Sequence, residues 1–257
     1  MKKQLLNFFY RFKFVRTFGR KILKARTINQ PFYNGVICFN AVEFSFFWVN
    51  NASCESRDKE TQDMLLQFSL EKDYFIDIGS NIGIMTLSIA LRNPKIRVLA
   101  YDPNKEILSY LKKSVSKNKL GNRVTLVNAA VSDKAGKAHL NFTTGSYSGH
   151  LSEEGIAVDM IDFGALLKEY ANKKTLFKMD IEGFEKNLVP ILAKDKNPLH
   201  HFVIEIHPKG LNGISDPEFV LQQLFENDFT VTDAYGKKVN AKSDITDWDN
   251  IACHYEK

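Results

Sequence analysis

The chain has 257 residues, of which 44% are hydrophobic and 25% are charged. This is the composition of an ordinary globular protein, and it excludes disorder, collagen and coiled coil for the chain as a whole. The three cysteines, Cys38, Cys54 and Cys253, lie far apart and form no Cys-x-x-Cys pair. A disulfide framework or a structural zinc site is therefore not expected, and a reducing, cytoplasmic environment is.

Positive charge is concentrated at the N-terminus. Residues 1–26 hold nine basic residues and no acid, whereas the rest of the chain has more acids than bases. Over residues 4–26, apolar side chains recur at helical spacing and predict a basic amphipathic helix. This helix either packs on its own domain, rests on anionic lipid at the inner face of the membrane, or docks an acidic partner or nucleic acid. No stretch reaches the ~20 apolar residues that cross a bilayer, and none has the pattern of a secretory signal.

The segment after this arm predicts a hairpin and a helix. Gly35–Asn40 and Glu43–Val49 have the composition of two strands joined by a tight turn at Asn40-Ala41, and Lys59–Leu70 has a helical pattern. Residues 1–70 are therefore interpreted as a helical and hairpin extension that packs on a main domain, residues 71–257.

From Tyr74 onward, short apolar strands alternate with amphipathic helices. This alternation predicts right-handed crossovers and an α/β fold, a doubly wound, mostly parallel sheet. The turn-rich insertion Asn141–Gly155 is a candidate substrate loop. The predicted strands are Tyr74–Ile78, Arg97–Tyr101, Val124–Val127, Leu176–Met179 and Phe202–Ile206, with Phe229–Thr232 and Ile251–His254 as edge strands; the predicted helices are Ile84–Leu91, Lys105–Lys119, Phe163–Tyr170, Phe184–Ala193 and Pro217–Asn227.

A glycine-containing turn follows the first of these strands. In Asp77-Ile-Gly79-Ser-Asn81-Ile-Gly83, a strand ends in an acid and a helix begins just after the turn, which is where parallel sheets bind ligands. A dinucleotide fingerprint would need Gly-x-Gly-x-x-Gly, and Asn81 stands at the second glycine position. The spacing therefore favours S-adenosylmethionine, held by Asp77, Gly79, Asn81 and Gly83. The alternative is a glycine turn without a ligand.

A second acid, Asp102, ends the next strand in Tyr101-Asp102-Pro103. A carboxylate at this place can accept hydrogen bonds from both hydroxyls of a ribose, in nicotinamide and adenosyl cofactors alike. The alternative is that Asp102 caps the helix that begins near Asn104.

A third group of polar residues follows the strands at Lys178 and Val203. Glu205 and His207 share one face of their strand, and Asp180 and Glu182 share a face of theirs if the chain stays extended. If the two strands are neighbours, these acids and the imidazole converge, and a cation, a lysine such as Lys178 or protonation must compensate them. Asp180, Glu205 and His207 suit Mg²⁺, Mn²⁺ or Ca²⁺ as ligands. The alternative is a salt-bridged cluster that only supports the sheet.

With these motifs, the sequence resembles the FkbM-type methyltransferases, a class I S-adenosylmethionine-dependent family. The resemblance extends from about Asp73 to Pro208, and its most specific part is Lys178-Met-Asp180-Ile-Glu182-Gly183-Phe-Glu185. Asp102 stands where the family usually has glutamate. The resemblance implies a seven-stranded Rossmann-like sheet and O-methylation of a hydroxyl, often that of a sugar in a surface glycan or a natural product.

O-methylation requires a group that removes the hydroxyl proton. His207 has the reference pKa best suited to a base near neutral pH, Asp180 is the competing candidate, and His150 of the insertion is a third. Glu205 would help to orient the acceptor hydroxyl, directly or through a divalent ion.

Two other functions remain open. A nucleic-acid methyltransferase would use the basic arm, but the acids at the site would repel a phosphate backbone, so nucleic acid is not the expected partner. A non-catalytic, membrane-associated module on a methyltransferase fold is the second.

Overall fold

The computed structural model describes residues 26–42, 44, 46–47, 52–141, 150–151 and 155–256. The predicted arm over residues 4–26 lies outside these ranges except for Arg26. The strands are β1 (Thr27–Phe32), β2 (Gly35–Asn40), β3 (Tyr74–Ile78), β4 (Arg97–Tyr101), β5 (Val124–Val127), β6 (Ala130–Ser132), β7 (Gly136–Asn141), β8 (His150–Leu151), β9 (Ile156–Asp162), β10 (Thr175–Met179), β11 (His200–Glu205), β12 (Phe229–Thr232) and β13 (Asn250–Tyr255). The helices are α1 (Lys59–Ser69), α2 (Ile84–Arg92), α3 (Lys105–Lys117), α4 (Phe163–Glu169), α5 (Glu185–Asp195) and α6 (Pro217–Glu226).

A seven-stranded sheet organises the molecule, in the order β12-β13-β11-β10-β3-β4-β5. Neighbouring strands from β11 to β5 are parallel, and β13 runs antiparallel to both β11 and β12. The predicted doubly wound, mostly parallel Rossmann-like sheet is therefore confirmed. The prediction of β13 as an edge strand is wrong, because it lies between two others. Its residues Ile251, Ala252 and Cys253 are all buried, as expected for a strand covered on both faces.

Two apolar cores cover the two faces of the sheet. One contains Leu65 of α1, Leu87 of α2 and Leu111 of α3, and the other contains Leu166 of α4, Leu188 of α5 and Leu224 of α6. Successive residues of a strand point to opposite faces, so Phe75 belongs to the first core and Ile76 to the second. Burial on both faces explains why the strands read as continuous apolar runs.

The hairpin before the sheet differs from the prediction. Gly35–Asn40 is a strand, as expected, but its antiparallel partner is Thr27–Phe32, and the chain turns at Tyr33-Asn34. Two-residue turns favour positive φ angles, which Tyr33 adopts at 50°. Pro31 and the polar residues of β1 conceal this edge strand in the sequence. The strand predicted over Glu43–Val49 falls largely outside the described residues, and Phe46 and Phe47 within it are helical.

A smaller sheet, which the sequence did not predict, is formed by the segment that follows β5 and precedes α4 in the chain. Its order is β6-β9-β7-β8, with β6 parallel to β9 and the other pairs antiparallel. Much of the predicted insertion Asn141–Gly155 lies outside the described residues. Within the described ranges, no helix combines the length and the apolarity needed to cross a bilayer.

Candidate active site

The turn after β3 is held in a shape that requires glycine. Gly79 and Gly83 have φ angles of 82° and 88°, and Asn81 between them is left-handed at 51°. A β-carbon on Gly79 would lie 1.8 Å from the carbonyl oxygen of Asp180, and one on Gly83 would lie 2.2 Å from Leu111 Cδ1. Both glycines are therefore required by packing within the protein, and their spacing alone does not indicate a ligand.

Two unpartnered polar atoms give this turn the character of a ligand site. Asp77 is fully buried, and its Oδ2 accepts a hydrogen bond from Thr86 Oγ1 at 2.6 Å, whereas its Oδ1 has no partner. The buried Ser80 Oγ has none either. Burial raises the pKa of Asp77 above its usual range. Because buried polar atoms without partners are rare, these two fit a ligand that supplies donors.

Asp102 joins this turn to the following strand. Its Oδ2 accepts the Asn81 N–H and its Oδ1 accepts the Asn104 N–H, both at 2.8 Å. Asn104, and not Asp102, is the cap of α3, because its side chain accepts the N–H groups of Glu106 and Ile107. Burial raises the pKa of Asp102 to about 6, although the two backbone N–H groups oppose the shift. Each carboxylate oxygen keeps a second lone pair for a ribose hydroxyl.

A carboxylate and imidazole cluster lies at the same edge of the sheet. Asp180, Glu205 and His207 bring one ligand atom each within 4.8 Å of one another. His207 Nε2 lies 3.6 Å from Asp180 Oδ1 and 3.9 Å from Glu182 Oε2. The structure thus brings the predicted residues together, because β10 and β11 are parallel neighbours. Glu182 reaches the cluster through a turn, at a φ of 56°, and not through the extended segment that was expected.

Lys178 partly neutralises the acids. It is 3% exposed, and its Nζ lies 2.7 Å from Asp180 Oδ2. Its register partner on β3 is Asp77, and the ammonium interacts electrostatically with Asp180, Asp77 and Glu205. Burial alone would lower the pKa of Lys178, but Asp180 and Asp77 outweigh it and raise that pKa.

Glu185 also belongs to this site, although the sequence alone indicated no role for it. It is buried in the first turn of α5, and its Oε1 accepts the Ile181 N–H at 2.7 Å. The same oxygen lies 3.2 Å from His207 Nδ1, although not in line for a hydrogen bond. Its place in the Glu-Gly-x-Glu string was the available signal. Glu185 therefore faces one nitrogen of His207 while Asp180 faces the other.

These contacts set the protonation of the cluster. Burial would lower the pKa of His207, but Glu185 and the neighbouring acids outweigh it and raise the pKa to about 9. Burial, with Asp180 beside it, raises the pKa of Glu205 to about 9 as well. Burial also opposes ionisation of Asp180, but Lys178 outweighs it and the pKa of Asp180 is lowered. These shifts favour an ionised Asp180 beside a protonated His207 near neutral pH.

His150 is not brought to this site by any described contact. Its backbone pairs with Asn141 in the smaller sheet, and its side chain lies outside the described part of the chain. Two residues that the sequence analysis did not single out do lie at this edge. Trp248 meets the ring of His207 at 5.2 Å, and Asn250 is the register partner of Glu205.

The order of the sheet, with one antiparallel strand, and the acids at the carboxyl ends of β3 and β4 agree with the fold expected of a class I S-adenosylmethionine-dependent methyltransferase. The sequence model of the methyltransferase FkbM domain matches residues 77–231, which is more than half of the chain. The chain belongs to this family. None of the curated proteins matches the sequence significantly.

Several solved structures resemble this chain in fold. A putative caffeoyl-CoA O-methyltransferase from Staphylococcus aureus is 12% identical, with a TM-score of 0.48 over 84% of this chain and 91% of that one. TYW2 from P. horikoshii, in complex with MeSAdo, is 11% identical, with a TM-score of 0.47 over 88% and 69%. An O-methyltransferase family protein from Burkholderia thailandensis is 10% identical, with a TM-score of 0.48 over 84% and 62%. At these values the likenesses say nothing about the acceptor.

Proposed function

We propose that this methyltransferase transfers a methyl group to a hydroxyl, that of a sugar in a surface polysaccharide or a related glycan. The observation that carries the proposal is the contact between Gly79 and the carbonyl of Asp180. The contact brings Asp180 next to the turn that would hold the methyl donor, and the Asp180 carboxylate is close enough to raise the pKa values of Asp77 and Asp102. Methyl transfer to oxygen needs a donor and a proton acceptor side by side.

Asp77, Gly79, Asn81, Gly83 and Asp102 would hold S-adenosylmethionine, which supplies an electrophilic methyl group when bound. Asp102 accepts hydrogen bonds from ribose hydroxyls through the lone pairs that Asn81 and Asn104 leave free. The unpartnered Asp77 Oδ1 and Ser80 Oγ bind polar groups of the same ligand. The turn would thereby hold the donor next to Asp180.

Asp180 is the proposed proton acceptor. His207 was the first candidate, but its pKa of about 9 leaves it protonated at neutral pH. Asp180 is ionised, and its Oδ1 faces away from the contact that Lys178 makes with Oδ2. Asp180 accepts the hydrogen bond of the acceptor hydroxyl and takes its proton. Glu205 and His207 orient that hydroxyl.

The same three side chains would hold a divalent cation. Two carboxylates and one imidazole within 4.8 Å form a donor set that Mg²⁺ or Mn²⁺ accepts. Such an ion lowers the pKa of a bound hydroxyl. The pKa values of about 9 for Glu205 and His207 indicate that the cluster carries excess negative charge, which the ammonium of Lys178 does not neutralise by itself.

A glycan acceptor is supported by the family and by the charge of this edge. Acids surround the proposed proton acceptor, and they favour neutral hydroxyl donors over a phosphate backbone. Because these acids would repel phosphates, we do not expect a nucleic-acid substrate. The charge pattern of residues 1–26 fits a cytoplasmic enzyme whose basic N-terminal arm binds the membrane surface that carries a lipid-linked glycan.

The test is mass spectrometry of the organism's surface glycan with and without the gene. Loss of the mass of one CH₂ group per modified sugar is expected on deletion. A plasmid that carries the wild-type gene should restore it, and one that carries Asp180→Asn should not. A glycan of unchanged mass in the deletion strain would contradict the proposed acceptor.

A further inference from the structure

An exposed tryptophan lies against the imidazole of the active site. Trp248 is 52% exposed, and its ring centroid lies 5.2 Å from that of His207 with the planes at 78°. Edge-to-face contact with a buried His207 leaves much of the indole surface open to solvent. Large aromatic side chains at binding sites supply rigid apolar area with a polar handle.

The backbone holds this tryptophan in an unfavourable conformation. Trp248 has a φ of 71°, which bulky residues rarely adopt. Its N–H donates to the Ile206 carbonyl at 2.6 Å, and the Ile206 N–H donates to the Asp249 carbonyl at 2.8 Å. These two bonds continue the pairing of β11 and β13 beyond the last register pair, and they fix the indole beside His207.

Asn250 adds an unpartnered polar atom at the same place. Its side chain is buried, and its Oδ1 has no hydrogen-bond partner. Asn250 is the register partner of Glu205, so the two side chains share one face of the sheet. An amide oxygen in this position is an acceptor that a ligand hydroxyl can satisfy.

We propose that Trp248 and Asn250 form the binding subsite for the acceptor sugar. One face of the sugar ring packs on the indole, and a ring hydroxyl donates to Asn250 Oδ1. A second hydroxyl then reaches Asp180. This inference rests on the proposed function and assigns to it the residues that select the acceptor.

The polar groups around His207 and Glu205 favour a sugar over an aromatic acceptor. Asp180 Oδ1 and Asn250 Oδ1 are both hydrogen-bond acceptors, and the Glu182 carboxylate lies 3.9 Å from His207 Nε2. A flat apolar face bordered by several acceptors complements a ring that has an apolar face and several hydroxyl donors. A planar phenol would use one or two of these acceptors and leave the others unpaired.

The test measures initial rates with S-adenosylmethionine and oligosaccharides released from the glycan of the deletion strain. Trp248→Ala should raise the KM for the oligosaccharide about tenfold or more, as truncation of a binding tryptophan does, and leave kcat nearly unchanged. Trp248→Phe should retain most of the affinity because it keeps a flat ring. Asn250→Ala should also raise the KM. Leu70→Ala is the matched control, because Leu70 is 67% exposed and follows α1, just before the amino end of β3.

The outcomes separate the inference from the proposed function. Wild-type enzyme that methylates no oligosaccharide would contradict both. Wild-type activity with an unchanged KM in Trp248→Ala would overturn the subsite alone. Pyrocatechol acting as a better acceptor that depends on Trp248 would contradict the sugar as acceptor, in the subsite and in the proposed function. Quenching of tryptophan fluorescence by the oligosaccharide, present in the wild type and absent in Trp248→Phe, gives a second readout that does not depend on turnover.

Discussion

The carbonyl oxygen of Asp180 occupies the space where a side chain on Gly79 would begin, 1.8 Å from the β-carbon position. The Asp180 N–H in turn donates to the Ile78 carbonyl at 3.0 Å. The turn after β3, which would hold the methyl donor, is therefore in direct backbone contact with Asp180, the proposed proton acceptor after β10. A shift of either one must move the other.

Replacing Gly79 should damage both folding and cofactor binding. Gly79→Ala adds a β-carbon against backbone that cannot rotate away, at a φ that costs about 1–3 kcal/mol for other residues. We expect a lower melting temperature and weaker S-adenosylmethionine binding, measured by calorimetry. Gly121→Ala is the control, since no atom lies within 4 Å of its β-carbon position. Equal melting temperatures for the two variants would contradict the contact.

The affinity for S-adenosylmethionine should depend on the ionisation of Asp102. Its pKa is raised to about 6 by burial, and only the ionised form accepts fully from ribose hydroxyls. The affinity should therefore be highest above pH 7 and should decline as the pH falls through the pKa of about 6. One pH unit below that pKa, the affinity should be lower by up to about tenfold. Titration calorimetry across this range measures it.

The variant Asp102→Asn provides the check on this assignment. It should bind weakly at every pH and lose the dependence, because an amide offers a single acceptor oxygen and does not titrate. Asp228→Asn, at an exposed carboxylate, should keep the wild-type profile. A profile that persists in Asp102→Asn would assign the titration to another group.

Removing the proposed proton acceptor should affect turnover more than binding. Asp180→Asn keeps an oxygen for Lys178 but cannot take a proton, so kcat should fall by about 10²–10⁴. The dissociation constant for S-adenosylmethionine should change little. His207→Gln should lower kcat less if Asp180 is the base. The reverse order of the two effects would assign the base to His207.

A divalent cation that binds this cluster should do so with an affinity that rises with pH. Glu205 and His207 have pKa values of about 9, and both must lose their protons to become ligands. Binding of Mn²⁺, measured by calorimetry, should therefore tighten from neutral pH toward that value. If the bound cation lowers the pKa of the acceptor hydroxyl, EDTA should lower turnover and Mg²⁺ should restore it. Unchanged turnover in EDTA would contradict the metal site and leave the protonated cluster.

Lys178 should stabilise the fold through the acids beside it. Lys178→Met leaves Asp77 and Asp180 without their cation, and breaking a buried pair costs about 3–5 kcal/mol. Urea denaturation at neutral pH measures the loss. Because the two carboxyl groups would then have raised pKa values in the folded state, part of the stability should return as the pH falls. Lys186→Met, at a 40% exposed lysine, should cost about 0–1 kcal/mol.

Local signals carried most of the fold. The five parallel strands and the five helices that alternate with them are where their apolar patterns predict them, within one or two residues at each end. The acids at Asp77 and Asp102 were found because they end strands. The hairpin and the smaller sheet were missed or misplaced because Pro31 and the polar residues of β1, and short strands such as β6, give no periodic pattern.

The sequence by itself determined the class of this protein. Strands, turns and the acids that follow the strands can each be recognised from residues that are adjacent in the chain. Tertiary structure decided the chemistry of the site. The pKa of His207 depends on Glu185 and Asp180, which reach it from α5 and from the end of β10. Trp248 and Asn250 lie beside His207 and Glu205 because β13 pairs with β11. Electrostatic energies depend on distance in space, and separation along the chain does not reveal that distance.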